Sequence, residues 1–262
     1  MKLKRVNDTT QYHILDPMLT AKSDIQRFNR QHPKLTFHYQ IRLSKRRTTA
    51  ITIKHQHVIV AAPLGSPIEQ LETWLLKKAS WVEKQLVQQA QRQQEVPNRQ
   101  YCNGGTWPFL DETLTLHIAE GSKAISHRHG NDLVILTRGT SPKSQVLQTK
   151  NILERWYKQQ ALRILSTKTH QLAKRIGTSV IDVKIRKTRT KWGHCTRAGV
   201  IQYNWVILQA PEWVVDYLVA HEVCHRFHHN HSKAFWRKVG QVYPNYQKAD
   251  QWLKQHGHRL TL

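Results

Sequence analysis

A chain of 262 residues, 39% hydrophobic and with nine Trp, is long and apolar enough to bury a sizeable core, which excludes a disordered protein. Lys and Arg total 41 against 17 acidic residues, net +24, so the surface suits polyanions, yet no block of like charge is long enough for a disordered basic tail. Three widely spaced cysteines (Cys102, Cys195, Cys224) exclude a disulfide framework, and no apolar run reaches the length of a signal peptide or membrane span, so a cytoplasmic chain is expected.

Residues 1–35 have no clear period and read as an N-terminal extension. From Phe37 the segments FHYQIRLS, RTTAITIKH and HVIVAAP alternate β-branched and aromatic residues with basic ones, as strands do, until Pro63 and Gly65 end the run. Ser66, Pro67 and Glu69 form a capping-box pattern that predicts a helix over 66–86, with Ile68, Leu71, Leu75, Val82 and Leu86 on its apolar face. The polar stretch QQAQRQQEVPNRQ that follows is a candidate linker. Gly104 and Gly105 mark a turn, and TLTLHI and DLVILT read as two further strands. Residues 36–145 are therefore expected to form a small mixed, β-rich domain built on antiparallel strands, and residues 146–262 a second domain. No internal repeat is evident.

In the second half, residues 149–176 predict a long helix carrying Ile152, Leu153, Trp156, Leu162 and Leu165, with Gly177 at its C-terminal cap. SVIDVKIRKTRTKWGHC reads as a strand running into a turn, with Val183 and Ile185 on one face and Lys184 and Arg186 on the other. Gly199 opens a second strand, GVIQYNWVIL. Pro211 starts the helix PEWVVDYLVAHEVCHRFHH, and two more helices follow over HSKAFWRKVGQVY and YQKADQWLKQHG. The expected fold class is α+β, with a helix bearing HEVCH behind a short antiparallel sheet.

That helix carries the chemistry. His221 and His225 are four residues apart, so their rings lie on one helical face and can reach a common metal ion. Glu222 sits too close in sequence to be a third ligand, but well beside a metal-bound water. This is the logic of HExxH, in which two neutral imidazoles hold zinc and a carboxylate takes a proton from the water. The third ligand must come from chain that has turned back, because His228, seven residues on, would continue the same helix about 10 Å beyond His221. Asn230 is a plausible turn residue, and His231 follows at the spacing of the third ligand in the HExxHxxGxxH zincins. Ser232 then caps the next helix. His127, His129, His256 and His258 are assigned no metal role.

The stretches KTRTKWGHC, GVIQYNWVILQAPEWVVDYLVAHEVCH and NHSKAFW, followed by P-x-Y and WL, resemble the YgjP-like metallopeptidase family, as do RLSKRR and WVEK in the first half. The resemblance covers about residues 37–257. It implies a zincin-like peptidase domain related to the SprT-like proteases that act on DNA-bound proteins, with His221, His225 and His231 as ligands to one zinc ion and Glu222 as the catalytic residue. His194 stands where the family usually has Ser.

The expected reaction is peptide hydrolysis, with a water activated by Glu222 and with His194, Tyr203 and Tyr246 as candidate oxyanion stabilisers. Two other readings are weighed against it. One is a metal-dependent nucleotide phosphohydrolase (a nucleoside triphosphate pyrophosphatase) that uses Lys184, Arg186, Lys187, Arg189 and Lys191 to hold polyphosphate. The other is a nucleic-acid-associated module with a structural zinc, whose binding weakens steeply with salt. The expected partners are a protein or peptide substrate and, through the basic surface, nucleic acid or nucleotide, with no membrane.

Overall fold

A computed structural model describes residues 25–138, 141–188 and 190–262, and these fall into two compact units divided between Ala90 and Gln91. The division at 90/91 differs from the boundaries at 35 and 145 expected from the sequence. The strands after Gly105 belong with the C-terminal helices, because their apolar faces share one buried cluster with them. Among the described residues no helix is long and apolar enough to cross a membrane.

The first unit is a four-stranded sheet backed by helices. Strands β1 (Gln26–Arg30), β2 (Tyr39–Ser44), β3 (Ala50–Lys54) and β4 (His57–Pro63) lie in the order β1-β2-β4-β3. The outer pairs are antiparallel, but β2 and β4 run parallel, so the all-antiparallel expectation is corrected. Tyr39, Ile41 and Leu43 alternate inward along β2 and meet Val58 and Val60 of β4, Leu71 and Leu75 of helix α1 (Ile68–Lys77), and Val82 of helix α2 (Ala79–Gln94). The single helix expected over 66–86 is thus two helices broken at Lys78. Pro67 itself occupies the N-cap, without a side-chain bond from Ser66, so no capping box forms. The expected linker is helical as far as Gln94.

The second unit opens with a sheet of the same plan. Strands β5 (Thr106–Phe109), β6 (Glu112–Glu120), β7 (Ile125–His129) and β8 (Asp132–Thr137) lie in the order β5-β6-β8-β7, again with a parallel central pair and antiparallel flanks. A topological repeat therefore exists where the residues show none. Ser141 caps the long helix α3 (Pro142–Arg175) by accepting from Ser144 N, and Gly177, at φ 74°, closes it in a Schellman turn, with Thr178 N donating to Ala173 O. Leu153, Trp156 and Leu165 are buried along α3 as expected, whereas Leu162 is 48% exposed.

A third sheet follows: β9 (Asp182–Arg186), β10 (Gly193–Cys195) and β11 (Val200–Asn204), in the order β10-β11-β9. It is mixed and not antiparallel, since β11 and β9 run parallel while β10 and β11 run antiparallel. The strand expected over GVIQYNWVIL stops at Asn204, whose side chain accepts from Val206 N and caps a 3₁₀ turn over Trp205–Gln209. Helix α4 (Glu212–Cys224), buried along most of its length, packs against α3 and beside β10, and helices α5 (Lys233–Val242) and α6 (Tyr246–His256) complete the unit. The architecture is α+β.

Candidate metal centre

Helix α4 is apolar on nearly every side: Val214, Val215, Leu218, Val219, Ala220, Val223 and Cys224 are all buried. Such a helix sits inside its unit, and any polar group on it is held in a dry setting. His221 and Glu222 lie in its last turn. His225 is its C-cap, still in right-handed helical geometry (φ −63°, ψ −14°), so the ring stays on the His221 face, with centroids 5.0 Å apart.

The helix was expected to run on to His229, but it ends at Cys224. The chain unwinds through turns in which Phe227 N and His228 N both donate to Cys224 O. Asn230, expected as the turn residue, is not in the left-handed conformation that closes many helices, since among the described non-glycine residues only His55, Gln56 and Leu110 have positive φ. The return is fixed instead by Ser232, which accepts from Phe235 N and starts α5, and this brings His231 back over the helix.

His231 Nε2 lies 3.0 Å from His221 Nε2, and one ring nitrogen from each of His221, His225 and His231 lies within 4.8 Å of the others. Two imidazole nitrogens so close need a shared proton or a shared cation. Tetrahedral zinc with bonds of about 2.0–2.1 Å would separate its nitrogens by about 3.3–3.4 Å, so the cluster fits such an ion with small adjustments. His225 Nδ1 donates to the carbonyl of His228 at 2.9 Å, which leaves Nε2 as the lone pair. His228 therefore serves the cluster through its backbone, and its ring is outside the triad.

The electrostatics suit neutral ligands. Burial, helped by the neighbouring rings of His225 and His231, lowers the His221 pKa to about 3. Burial also lowers His225, against its bond to the His228 carbonyl. Glu222 is 3% exposed, and one carboxyl oxygen is buried without a partner among the described residues. Desolvation raises its pKa to about 8, with the charge of Lys191 pulling the other way.

Three contributors had been missed. Gly193 on β10 lies so near Glu222 that a Cβ there would stand 2.3 Å from Oε1, so only glycine admits the carboxylate. Phe235 stacks on His225 (4.4 Å, 23°) and meets His231 and His221 edge-on near 5 Å. Trp236 lies 5.7 Å from both His221 and His231, backed by the stacked ring of Tyr246. The Gly in WGHC and the FW pair in NHSKAFW were in view in the sequence, but spacing alone gave them no role.

Of the oxyanion candidates, Tyr203 is fully buried with its hydroxyl on Thr169 at 2.9 Å, which keeps it from substrate. Tyr246 stacks its ring on Trp236, 5.3 Å between centroids, and lies outside the triad. His194 is exposed on β10, opposite Gln202, and outside the triad. Cys195 and Cys224 are buried, and burial raises both thiols. The basic run is partly spent within the protein: Lys184 lies 3.8 Å from Asp182, and Lys187 reaches the Leu262 carbonyl and the Trp205 ring, while Arg189 lies outside the described residues. His127 and His129 are exposed on β7, His256 lies against Trp252, and His258 pairs with Glu95 at 2.9 Å.

The model of the YgjP-like metallopeptidase domain matches residues 47–256. The chain belongs to the YgjP-like metallopeptidase family. It is, in that general sense, a metal-dependent peptidase. Among solved structures, the crystal structure of the metallopeptidase zymogen of Pyrococcus abyssi abylysin is similar at 21% identity, over 35% of this chain and 93% of that one, with a TM-score of 0.32. No curated protein matches significantly.

Proposed function

We propose that this chain is a zinc peptidase in which His221, His225 and His231 hold one ion and Glu222 is the catalytic base. The observation that carries this reading is the convergence of the three ring nitrogens within 4.8 Å, next to a buried carboxyl with an unpartnered oxygen. Three imidazoles and no thiolate or carboxylate ligand favour zinc over magnesium or calcium. Bound there, zinc would leave one position open, polarise a carbonyl and lower the pKa of water.

The protein supplies the rest. His221 and His225, kept neutral by burial, present lone pairs rather than protons. Glu222 accepts a proton from the attacking water and passes it to the leaving amine. Its dry setting keeps that proton from exchanging with bulk solvent, and Gly193 gives the carboxylate room. The Phe235 and Trp236 rings hold the imidazoles in place. The chain's substrates on this reading are proteins or peptides.

The test is elemental analysis of untagged wild type, Glu222→Gln and His231→Ala, each assayed on unfolded protein and on nucleoside triphosphates. One zinc per chain is expected in wild type and in Glu222→Gln, with peptide cleavage reduced about 10²- to 10⁴-fold in the latter, and no zinc in His231→Ala. Glu222-dependent release of phosphate or pyrophosphate without peptide cleavage would assign the site to nucleotide hydrolysis. Bound zinc with neither activity would make it structural.

A further inference from the structure

A cleft opens on the far side of Gly193, the residue that abuts the Glu222 carboxyl. Thr188, Lys191 and Trp192 form its turn side, and Gly193, His194 and Gln202 its strand side. We propose that this cleft takes an acidic side chain of the polypeptide substrate, with Lys191 as counter-ion, so that the enzyme cuts next to Asp or Glu. The inference rests on the peptidase reading above and names its substrate class.

Position comes first. Gly193 belongs both to the cleft wall and to the contact with the Glu222 carboxyl. Extended peptide advances about 3.3 Å per residue. A side chain seated in the cleft, with only Gly193 between it and Glu222, therefore belongs to a residue close to the bond that is cut.

Charge comes second. No Asp or Glu is among the residues that line the cleft, and Lys191 is exposed and in no ion pair among the described residues, although its charge reaches the Glu222 carboxyl behind Gly193. Its ammonium, held by no hydrogen bond among the described residues, can meet a substrate carboxylate, with the Gln202 amide and the His194 ring as further donors. A basic substrate side chain would face Lys191 with like charge, which is how a site rejects the wrong partner.

Preorganisation comes third. Asn204 Nδ2 donates to the Thr188 carbonyl at 3.0 Å, and the Thr188 hydroxyl donates to the Lys191 carbonyl. Trp192 is held from behind at Gly257, where a Cβ would come within 2.9 Å of the indole. These contacts hold Thr188, Trp192 and Asn204 on the walls of the cleft, with Lys191 at its mouth.

The experiment has two arms on the full-length, zinc-loaded protein. The first measures cleavage of peptide mixtures in which one position at a time is Glu, Ala or Lys. Wild type should prefer Glu at one position by about tenfold or more over Lys, and Lys191→Glu should reverse that order. An unchanged preference in Lys191→Glu overturns the proposal. The second arm titrates Glu- and Lys-containing tetrapeptides calorimetrically into Glu222→Gln. Tighter binding of the acidic peptide, lost in Glu222→Gln/Lys191→Glu, supports the cleft assignment even where no peptide is cut, in which case only the peptidase reading fails. Equal affinity for both peptides, or binding of inorganic phosphate in preference to the acidic peptide, overturns it.

Discussion

Two four-stranded sheets in this chain share one strand order and one pairing pattern, yet only the second belongs to the unit that holds the His221, His225 and His231 cluster. In the first, the short helix α1 covers the sheet, and the buried cluster closes after Leu71, Leu75 and Val82. In the second, the helix is 34 residues long. Its first half (Ile152, Leu153, Trp156, Tyr157) shares a buried cluster with Leu116 of β6 and Leu133 and Ile135 of β8, and its second half (Leu165, Thr169, Leu172) runs on to α4, β9 and β11. Thr169 on that extension bonds Tyr203, and Lys168 pairs with Glu212 and Asp216 of α4. The same small sheet is a closed unit when its helix is short, and a foundation for the helix that carries His221 and Glu222 when its helix is long.

Core truncations should separate the two most strongly. Leu153→Ala and Ile41→Ala each remove a fully buried aliphatic side chain, and each should cost about 2–5 kcal/mol. The two buried clusters share no residue. Leu153→Ala should therefore lower zinc affinity along with stability, whereas Ile41→Ala should melt the first unit early and leave zinc affinity as it was. Thermal unfolding combined with zinc titration reads both. If Ile41→Ala weakens zinc as much as Leu153→Ala, the units are not energetically separate.

Next in size is Gly193→Ala. The added methyl must displace the Glu222 carboxyl, and overpacking of this kind costs about 1–3 kcal/mol. Peptide cleavage should fall with zinc content unchanged. The matching control is Gly65→Ala, in the turn after the first sheet, where a Cβ meets nothing within 4 Å and only the positive φ of 77° is strained. That variant should lose stability and keep full activity; equal activity losses in both would mean that Gly193 matters only as backbone.

The pH dependence of the metal-free protein is the third handle. The His221 pKa is lowered from 6.5 to about 3 in the folded state, so its contribution rises as pH climbs from 3 and is complete above 6.5. Glu222 is raised from 4.5 to about 8, so the folded state binds the extra proton and stability falls as pH rises through that window. Between 4.5 and 6.5 the two oppose each other; between 6.5 and 8 only Glu222 titrates. Stability of the metal-free protein should decline over pH 6.5–8, and Glu222→Gln should flatten that decline. A decline that persists in Glu222→Gln assigns it to another group.

Much of this was legible in the sequence. HEVCH on an apolar helix, with His231 ten residues past His221, was enough to assemble the triad, because helical periodicity and coordination geometry are local rules. The strands β1, β5 and β7 were missed for physical reasons. β5 contains Pro108, which reads as a breaker, and β7 is ISHRH, whose exposed residues carry no apolar alternation. The parallel pairs β2–β4, β6–β8 and β9–β11 are set by tertiary packing, which no run of residues announces. Gly193 and Phe235 act through close approach in space, and their neighbours in sequence do not reveal it.

The smallest effect tests three serines that look alike in sequence. Ser66, Ser141 and Ser232 each precede a helix, yet only Ser141 and Ser232 accept a bond from the helix backbone. Losing such a cap costs about 1 kcal/mol. Ser66→Ala should therefore be silent, and Ser141→Ala should lower stability alone, because its helix start is remote from the rings. Ser232→Ala has a second consequence. It loosens the start of α5, where Phe235 stacks on His225 and where the chain has just delivered His231. If the cap's energy is shared with the metal centre, zinc affinity should fall by up to about fivefold. A drop in melting temperature with unchanged zinc affinity would mean instead that His231 is placed by the Phe235 and Trp236 packing, with the cap serving only the helix.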